Sequence, residues 1–239
     1  MSEQRVLITG HKGFIGRHVY ADFIDSHGDA NVMGIDLPDN IGDFTMGNYD
    51  LVIHLAAFAD IRESLDNPRK YYENNVLKAK PLFDWCAKTN TRLVYASSSA
   101  VLCKYWENPY AMSKWINEQM APPNSVGLRL TTVYSEMNSR PDMLYRRLEN
   151  KTATYLTNHK RDWIHVEDVC RAIRYLADSN IRGPISVGTG ESVKVIDLAH
   201  KMGMAHLPLK EHTPGEAQDN KADISLLLTT GWYPTHSVL

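Results

Sequence analysis

Residues 5–16 read RVLITGHKGFIG, and the order of residue types within them indicates the fold. A short apolar, β-branched run leads directly into Gly10, Gly13 and Gly16. The next stretch, FIGRHVYADFIDSH, spaces its apolar residues three and four apart, so the order predicts a strand, a tight turn and a helix. Glycines at these positions let the chain turn sharply, let the backbone approach a pyrophosphate and let helix pack closely on strand. The predicted dinucleotide contacts are Gly10, Gly13, Phe14, Ile15 and Gly16.

An acidic residue follows the next apolar run, NVMGID, and supports the same interpretation. Asp36 comes 20 positions after Gly16, at the end of the second predicted strand. A carboxylate there accepts hydrogen bonds from the ribose hydroxyls of NAD and repels the 2′-phosphate of NADP. The strand, turn and helix context favours NAD binding over a turn that needs glycine only for its shape.

Strands and helices continue to alternate along the chain. Strands are predicted in LVIHLAA, TRLVYASSS, SVGLRLTTV and PISVGTG, and helices in NPRKYYENNVLKAKPLFDWCAK, PYAMSKWINEQM and EDVCRAIRYLAD. Pro81 should kink the first of these helices, because proline removes a helical hydrogen bond. The alternation predicts an α/β protein with a doubly wound, mostly parallel sheet, the Rossmann fold. We assign residues 1–134 and 162–187 to an NAD-binding domain, and residues 135–161 and 188–239 to a small discontinuous C-terminal substrate-binding region.

Composition and charge exclude several classes of protein. The chain has 239 residues, with 26 lysines and arginines against 28 aspartates and glutamates, a formal net charge of −2. Without a basic face we expect no nucleic-acid partner, and the longest apolar stretch, residues 51–59, is too short to predict a membrane span. Cys86, Cys103 and Cys170 show no C-x-x-C spacing and no H-E-x-x-H motif occurs, so neither a disulfide framework nor a metal site is predicted. We expect a reducing cytoplasm as the location.

A serine, tyrosine and lysine set is the candidate catalytic group. Ser97, Ser98 and Ser99 end a predicted strand, at the edge where parallel sheets place their ligands. Tyr110 and Lys114 are four apart on a predicted helix and therefore share a face. A phenol with a pKa of about 10 is a poor base at neutral pH, but a nearby ammonium and an oxidised nicotinamide favour the phenolate. The set predicts Tyr110 as a general base supported by Lys114, with a serine that orients the substrate's oxygen.

Taken together, these motifs resemble one known family. TGHKGFIG, LVIHLAA, YYENNVLKA, RLVYASSSAVL, NPYAMSK and RDWIHVEDV are similar to the signatures of an extended short-chain dehydrogenase/reductase of the NAD-dependent epimerase/dehydratase family. The resemblance implies that Ser98 is the catalytic serine, with Ser97 and Ser99 as alternatives. It also implies that Tyr110 is the base and that Lys114 binds the nicotinamide ribose. Further cofactor contacts implied in this way are Leu55, Ala56, Ala57 and Asn75, with Asp43 beside the adenine. The implied substrate contacts are Ser98, Thr132 and Arg161.

Two departures from the family pattern bear on the reaction. Dehydratases and decarboxylases of the family follow the catalytic serine or threonine with acidic residues, whereas Ser99 and Ala100 stand here, which weighs against elimination. Only eleven residues separate Ser98 from Tyr110, so a loop that helps to roof the substrate in longer relatives is missing.

The predicted substrate site departs from the pattern as well. Thr132 stands where many sugar-nucleotide members have an asparagine, and Thr213 stands where many have an arginine for the substrate's phosphates. His212 or Lys210 would be a weaker, local replacement for that arginine. His54, inside a predicted strand, is interpreted as a core histidine rather than a ligand.

The leading hypothesis is a nucleotide-sugar epimerase that acts at C4 of the sugar. The resemblance implies that Tyr110 removes a hydroxyl proton while hydride passes to NAD, and that the 4-keto sugar takes the hydride back on its other face. The alternatives are a nucleotide-sugar ketoreductase or dehydrogenase with net hydride transfer, and a dinucleotide-binding module without turnover. Family members pair through two helices, predicted here over residues 67–88 and 109–120, so we expect a homodimer.

Overall fold

A six-stranded parallel sheet forms the centre of the molecule. The computed structural model describes residues 4–36, 47–137, 140–210 and 215–239. The strands among these residues are β1 Val6–Thr9, β2 Val32–Ile35, β3 Leu51–His54, β4 Arg92–Ser98, β5 Ser125–Leu130, β6 Thr132–Tyr134, β7 Lys160–Arg161, β8 Trp163–His165, β9 Gly183–Val187 and β10 Val193–Lys194. The central sheet has the order β2-β1-β3-β4-β5-β9, and each neighbouring pair in it is parallel. The prediction of a doubly wound, mostly parallel sheet is confirmed.

Helices connect these strands and cover the sheet. In the described part of the chain they are α1 Phe14–His27, α2 Ile61–Asp66, α3 Pro68–Tyr72, α4 Lys80–Thr89, α5 Pro109–Met120, α6 Leu144–Glu149, α7 Val166–Ala177, α8 Val195–Lys201 and α9 Ser225–Leu228. The predicted helix over residues 67–88 is divided, because Glu73–Leu77 form a π-helical turn and Pro81 lies in the first turn of α4. In a first turn the missing N–H of proline costs no hydrogen bond. Within the described ranges, no helix combines the length and apolar character that crossing a bilayer demands.

Both faces of the sheet are buried, which explains the unbroken apolar runs of its strands. In β1, Val6 and Ile8 pack into one core while Leu7 packs into the other. In β4, Val94 lies in the first core and Leu93 in the second. Residues of α1 and α7 complete the first core, and residues of α4 complete the second. Helices therefore cover the sheet from both sides.

The strand order reverses at β1. From β1 the chain moves outward to β2 and then returns to the opposite side of β1 as β3. In open α/β sheets the crevice at the carboxyl ends of the strands on either side of such a switch point binds ligands. The glycine turn follows β1 here, and the N–H of Leu55, after β3, donates to the Thr9 carbonyl at 3.0 Å. The fold thus brings the predicted cofactor segments to one crevice.

A smaller unit is built beside the carboxyl end of the sheet. In it β6 pairs with β8 in parallel, and β7 pairs with β10 in antiparallel orientation. Its own core includes Tyr145, Leu156, Trp163 and Leu198. Trp232, near the end of the chain, packs instead into the first core of the main sheet. The residue boundaries assigned to the two domains stay a prediction.

A buried carboxylate organises the loops of this smaller unit. Asp162, which is fully buried, accepts hydrogen bonds from the backbone N–H groups of Thr189 at 2.7 Å, Gly190 at 3.0 Å and Ala222 at 3.1 Å. The side-chain hydroxyl of Thr189 adds a further bond at 2.8 Å. One side chain therefore ties the turn after β9 to the segment that precedes α9.

Candidate active site

Backbone geometry requires glycine in the turn after β1. Gly10 has a φ of +76°, and a Cβ atom there would lie 2.6 Å from the backbone nitrogen of Ala56. A Cβ atom on Gly16 would lie 1.9 Å from the carbonyl oxygen of Gly10. The first turn of α1 and the loop after β3 therefore approach the glycine turn more closely than a side chain would permit.

The N-terminus of α1 and the carboxylate of Asp36 flank this turn. α1 has no side-chain cap and no acidic residue in its first turn, so it keeps free N–H groups and a partial positive charge at the crevice. Asp36 follows β2, and its Oδ2 accepts a hydrogen bond from the backbone N–H of Lys12 at 2.7 Å. Helix N-termini bind phosphates, and a carboxylate in this position binds ribose hydroxyls. These residues fit a dinucleotide.

One cleft brings most of the predicted residues together. Those that line it are Gly10, Gly13, Phe14, Ile15, Gly16, Leu55, Ala57, Ser97, Ser98, Tyr110, Lys114 and Thr132. Asp36, Ala56 and Asn75 do not belong to its lining, and Arg161 lines a second, adjoining cleft. The glycine turn and the candidate catalytic residues thus line the same cleft.

Tyr110 lies in the first turn of α5 and meets Ser98 at the end of β4. The Ser98 hydroxyl lies close enough to Tyr110 to lower its pKa, and the Oγ of Ser98 accepts a hydrogen bond from the N–H of Ala100 at 3.2 Å. Burial raises the pKa of Tyr110, whereas the hydrogen bond with Ser98 and the positive charge of Arg140 lower it. Burial therefore opposes ionisation of the phenol while two neighbouring side chains favour it.

Lys114 lies one helical turn further along α5 and is buried. Its Nζ donates to the Ala96 carbonyl of β4 at 2.9 Å, which fixes the amine beneath the cleft. Burial lowers the pKa of Lys114 to about 8. The amine is therefore still mostly protonated at neutral pH. The cation that lowers the pKa of Tyr110 is Arg140, which the sequence pattern did not indicate.

The consecutive serines have different partners. Ser97 is buried, and its Oγ donates to the Oε1 of Glu118 at 2.6 Å. Glu118 also forms an ion pair with Arg129, with 2.7 Å between Oε2 and Nη2. The hydroxyl of Ser97 therefore belongs to a packed polar network. Ser98 is the serine that meets Tyr110, which favours Ser98 for contact with a substrate.

Asn75 fixes the loop after β3. The side chain is buried, its Oδ1 accepts from the N–H of Phe58 at 2.9 Å, and its Nδ2 donates to the Phe58 carbonyl at 2.9 Å. Nδ2 also donates to the Oγ of Ser113 at 3.1 Å, which ties the loop to α5. Asn75 therefore supports the cofactor side of the cleft by holding the loop that carries Ala57.

The second cleft is rich in cations. Its lining includes Arg62, Arg140, Arg147 and Arg161. Glu216 holds two of these guanidinium groups, with its Oε1 3.0 Å from the Nε of Arg62 and its Oε2 3.3 Å from an Nη2 of Arg161. One carboxylate thus positions two arginines at the surface of the cleft.

An aromatic ring stands among these cations. The Tyr155 ring centroid lies 5.5 Å from the Cζ of Arg62, 5.9 Å from the Cζ of Arg147 and 4.8 Å from the Nζ of Lys210. Arg62 also donates a hydrogen bond to the Tyr155 hydroxyl. Three cationic groups therefore lie over this ring, within cation–π distance of its centre.

The two clefts are continuous. Thr132, Arg140 and Met143 are among the residues that line both. The Oγ1 of Thr132 accepts a hydrogen bond from the Nδ2 of Asn220 at 3.2 Å. A ligand that lies across both clefts would meet Tyr110 at one end and the arginines at the other.

Except for Arg161, sequence reasoning missed the arginines of the second cleft. Arg62 comes from α2, Arg140 from the segment after β6 and Arg147 from α6. These three segments share no motif, so spacing along the chain gives no signal for them. The expectations for Asp43, His212 and Thr213 concern positions outside the described residues.

Comparisons with a family model, with known sequences and with solved structures agree with one another. The family model described as "NAD dependent epimerase/dehydratase family" matches residues 6–188. Protein CapI of Staphylococcus aureus is 31% identical, over 72% of this chain and 69% of CapI. UDP-glucose 4-epimerase of Pisum sativum is 27% identical, over 50% of this chain and 47% of the plant protein. The solved structure of MoeE5 in complex with UDP-glucose and NAD has a TM-score of 0.84 at 24% identity, over 98% of this chain and 94% of MoeE5.

Proposed function

The chain belongs to the NAD-dependent epimerase/dehydratase family, and from that premise we propose that it is a nucleotide-sugar epimerase acting at C4 of the sugar. As a member of this family it is an enzyme whose cofactor is NAD. The observation that carries the proposal is the contact between Ser98 and Tyr110 in the same cleft as the glycine turn. The similarity to a UDP-glucose 4-epimerase supports both the reaction and the class of substrate.

The residues around the glycine turn would hold the cofactor. The free N–H groups at the start of α1 would bind the pyrophosphate, Asp36 the adenosine ribose and Lys114 the nicotinamide ribose. Bound NAD supplies hydride chemistry, because it accepts a hydride from the sugar carbon and returns it. The carboxylate of Asp36 would repel a 2′-phosphate, which favours NAD over NADP.

Tyr110 would move the proton. Its phenolate accepts the proton of the C4 hydroxyl, and the resulting phenol gives a proton back to the same oxygen, so the cycle consumes neither acid nor base. Ser98 would donate a hydrogen bond to that oxygen and orient it. The positive charge of Arg140 stabilises the phenolate and so lowers the pKa of Tyr110.

The residues after Ser98 favour epimerisation over elimination. Loss of a hydroxyl from the sugar needs an acid that protonates the leaving group, whereas epimerisation at C4 breaks no C–O bond. Ser99 and Ala100 occupy the positions where the family's dehydratases carry acids. The N–H of Ala100 is bonded to the Oγ of Ser98, so this turn positions the serine.

The second cleft would hold the nucleotide diphosphate. Arg62 and Arg161 present guanidinium groups that Glu216 holds in place, and such groups bind phosphate oxygens in a bidentate manner. The cations of Arg62, Arg147 and Lys210 over the Tyr155 ring add positive charge at this end of the cleft. Because Arg140 lines both clefts, it would lie between the diphosphate and Tyr110 and beside the sugar.

A substrate panel tests this proposal. The protein is purified, its NAD content is measured after release from the protein, and pairs of UDP-sugars that differ only at C4 are supplied, including neutral hexoses and uronic acids. Products are identified by NMR while the absorbance of reduced nicotinamide is followed. We expect at least one pair to interconvert with no steady change in that absorbance.

Two results would overturn the proposal. Protein that contains NAD but interconverts no pair would not be a C4 epimerase. A steady change in reduced nicotinamide with one substrate would instead identify a ketoreductase or dehydrogenase with net hydride transfer.

A further inference from the structure

A cluster of metal-ligand side chains lies where the C-terminal segment crosses the start of α7. His165 ends β8, Glu167 lies in the first turn of α7 and His236 belongs to the C-terminal segment, and one donor atom of each lies within 4.8 Å of the others. The rings of the two histidines are stacked with their centroids 4.2 Å apart. The Nε2 of His236 is 3.4 Å from the Oε2 of Glu167.

Two further groups border this cluster. The Oε2 of Glu136 is 3.2 Å from the Nε2 of His165. His18, on α1, has a buried Nε2 that lacks a hydrogen-bond partner among the described residues. Burial and the charge of Arg17 lower the pKa of His18, whereas the nearby carboxylate of Glu167 raises it. His18 therefore adds a free ligand nitrogen at the edge of the cluster.

The charges around the cluster suit a divalent cation. The carboxylates of Glu136 and Glu167 give the cluster its negative charge. The neighbouring buried Asp168 contacts Arg171, which balances its charge. The acidic residues also offset the partial positive charge at the N-terminus of α7.

We propose that His165, Glu167 and His236 bind a divalent transition metal, Zn²⁺ best of the common ones, with Glu136 or His18 as the fourth ligand. Imidazole nitrogens and a carboxylate oxygen are ordinary zinc ligands. Two ligands of one tetrahedral zinc ion lie roughly 3.3 Å apart. Because the donor atoms lie within 4.8 Å of one another, binding would draw any two of them together by at most about 1.5 Å. Glu167 and His236 can supply this movement, because their side chains are 65% and 37% exposed.

A metal bound at this site would hold the C-terminal segment against β8. Asp168 already accepts hydrogen bonds from the N–H groups of Thr235 and His236, each at 3.1 Å from its Oδ2. A metal on His236 and His165 would add a second attachment, to β8. Because β8 pairs with β6, which carries Thr132 of both clefts, the metal would also stiffen the substrate side.

The test is metal binding by the full chain, prepared without a histidine tag and treated with a chelator. Zn²⁺ is added in a calorimeter at pH 7.5, and hydrogen exchange of residues 232–239 is followed with and without the metal. We expect one equivalent to bind and to slow exchange in that segment. His236→Ala should weaken binding at least tenfold and abolish the slowing. His206→Ala removes an exposed histidine elsewhere and should change neither result.

Absence of saturable binding would overturn the proposal. So would unchanged affinity in His236→Ala, or a loss of affinity as large in His206→Ala. Glu167→Gln, at a largely exposed position, repeats the test in a variant that keeps the C-terminal contacts of His236 to Asp168. Unchanged affinity in this variant as well would assign any bound zinc to another site.

Discussion

Two titratable side chains near the cleft, Lys114 and His54, are buried. The Nδ1 of His54 is 2.7 Å from the Oγ1 of Thr9, while its Nε2 has no hydrogen-bond partner among the described residues. Burial lowers the pKa of His54 to about 3, and the charge of Lys114 acts in the same direction. The interpretation of His54 as a core histidine agrees with its burial, although only one of its ring nitrogens is bonded.

His54 should make the fold sensitive to acid. Its pKa lies near 6.5 in the unfolded chain and at about 3 in the folded one, so between these values only the unfolded chain binds the proton. The free energy of unfolding therefore falls as pH falls through this window, by about 1.4 kcal/mol per pH unit from this group. His54→Asn keeps a polar atom near Thr9 but removes the titrating ring. In urea unfolding between pH 4 and 6.5, it should therefore reduce the dependence of the unfolding free energy on pH by up to about 1.4 kcal/mol per pH unit.

His200→Asn is the matched control for this experiment. His200 is exposed on α8, so its replacement should leave the slope unchanged. Equal slopes in the wild type and in His54→Asn would contradict the buried, neutral state assigned to His54.

Among the helices and strands, the sequence best predicts the features that depend on the spacing of apolar residues within one short stretch of chain. α1 has the bounds that its apolar spacing predicts, because one face of it packs on the sheet. The predicted strand SVGLRLTTV instead divides at Thr131 into β5 and β6. The N–H of Thr131 donates to Val187 of the main sheet, whereas that of Thr132 donates to the Asp162 carbonyl. Two adjacent backbone N–H groups therefore bond to different segments of the chain. The spacing of apolar residues along the sequence gives no sign of this change.

In the candidate site too, features within one short stretch of chain could be predicted, whereas contacts between distant segments could not. The glycine turn and the pair of Tyr110 and Lys114 could be predicted because each lies within a few residues of chain. Arg140 could not, because it reaches Tyr110 only through the folded path of the segment after β6.

Asp162 should control the stability of the smaller unit. Asp162→Asn replaces one acceptor oxygen by an NH₂ group that would face backbone N–H groups such as that of Gly190. An unsatisfied buried group costs about 1–3 kcal/mol, so urea unfolding should show a loss of this size. Asp219→Asn, at a site where the side chain is 41% exposed, should change stability little. Equal stability of the two variants would contradict the role assigned to Asp162.

In the whole molecule, the glycine turn of the main sheet lines the cofactor cleft, while α2 and residues of the smaller unit together line the cationic cleft. The helical segments expected to pair two copies contain α3, α4 and α5. Tyr72 and Leu77 expose 46% and 49% of their surface in this segment. Such exposed apolar side chains are what an isologous interface would cover.

A homodimer should therefore depend on Leu77. Leu77→Glu places a charge in the proposed interface and should shift the sedimentation coefficient from that of a dimer to that of a monomer. Leu226→Glu changes a residue of similar exposure, 50%, on α9 and should leave the dimer intact. A monomeric wild type, or a dimer that persists in Leu77→Glu, would contradict this pairing.

The most direct test of the proposed reaction is the rate of C4 interconversion in Tyr110→Phe, with NAD binding measured on the same preparation. The substitution removes only the hydroxyl that meets Ser98, so the ring keeps its edge contact with Tyr71. We predict a fall in kcat of about 10²- to 10⁴-fold with NAD affinity nearly unchanged. Interconversion at the wild-type rate by a variant that binds NAD would contradict the assignment of Tyr110 as the base.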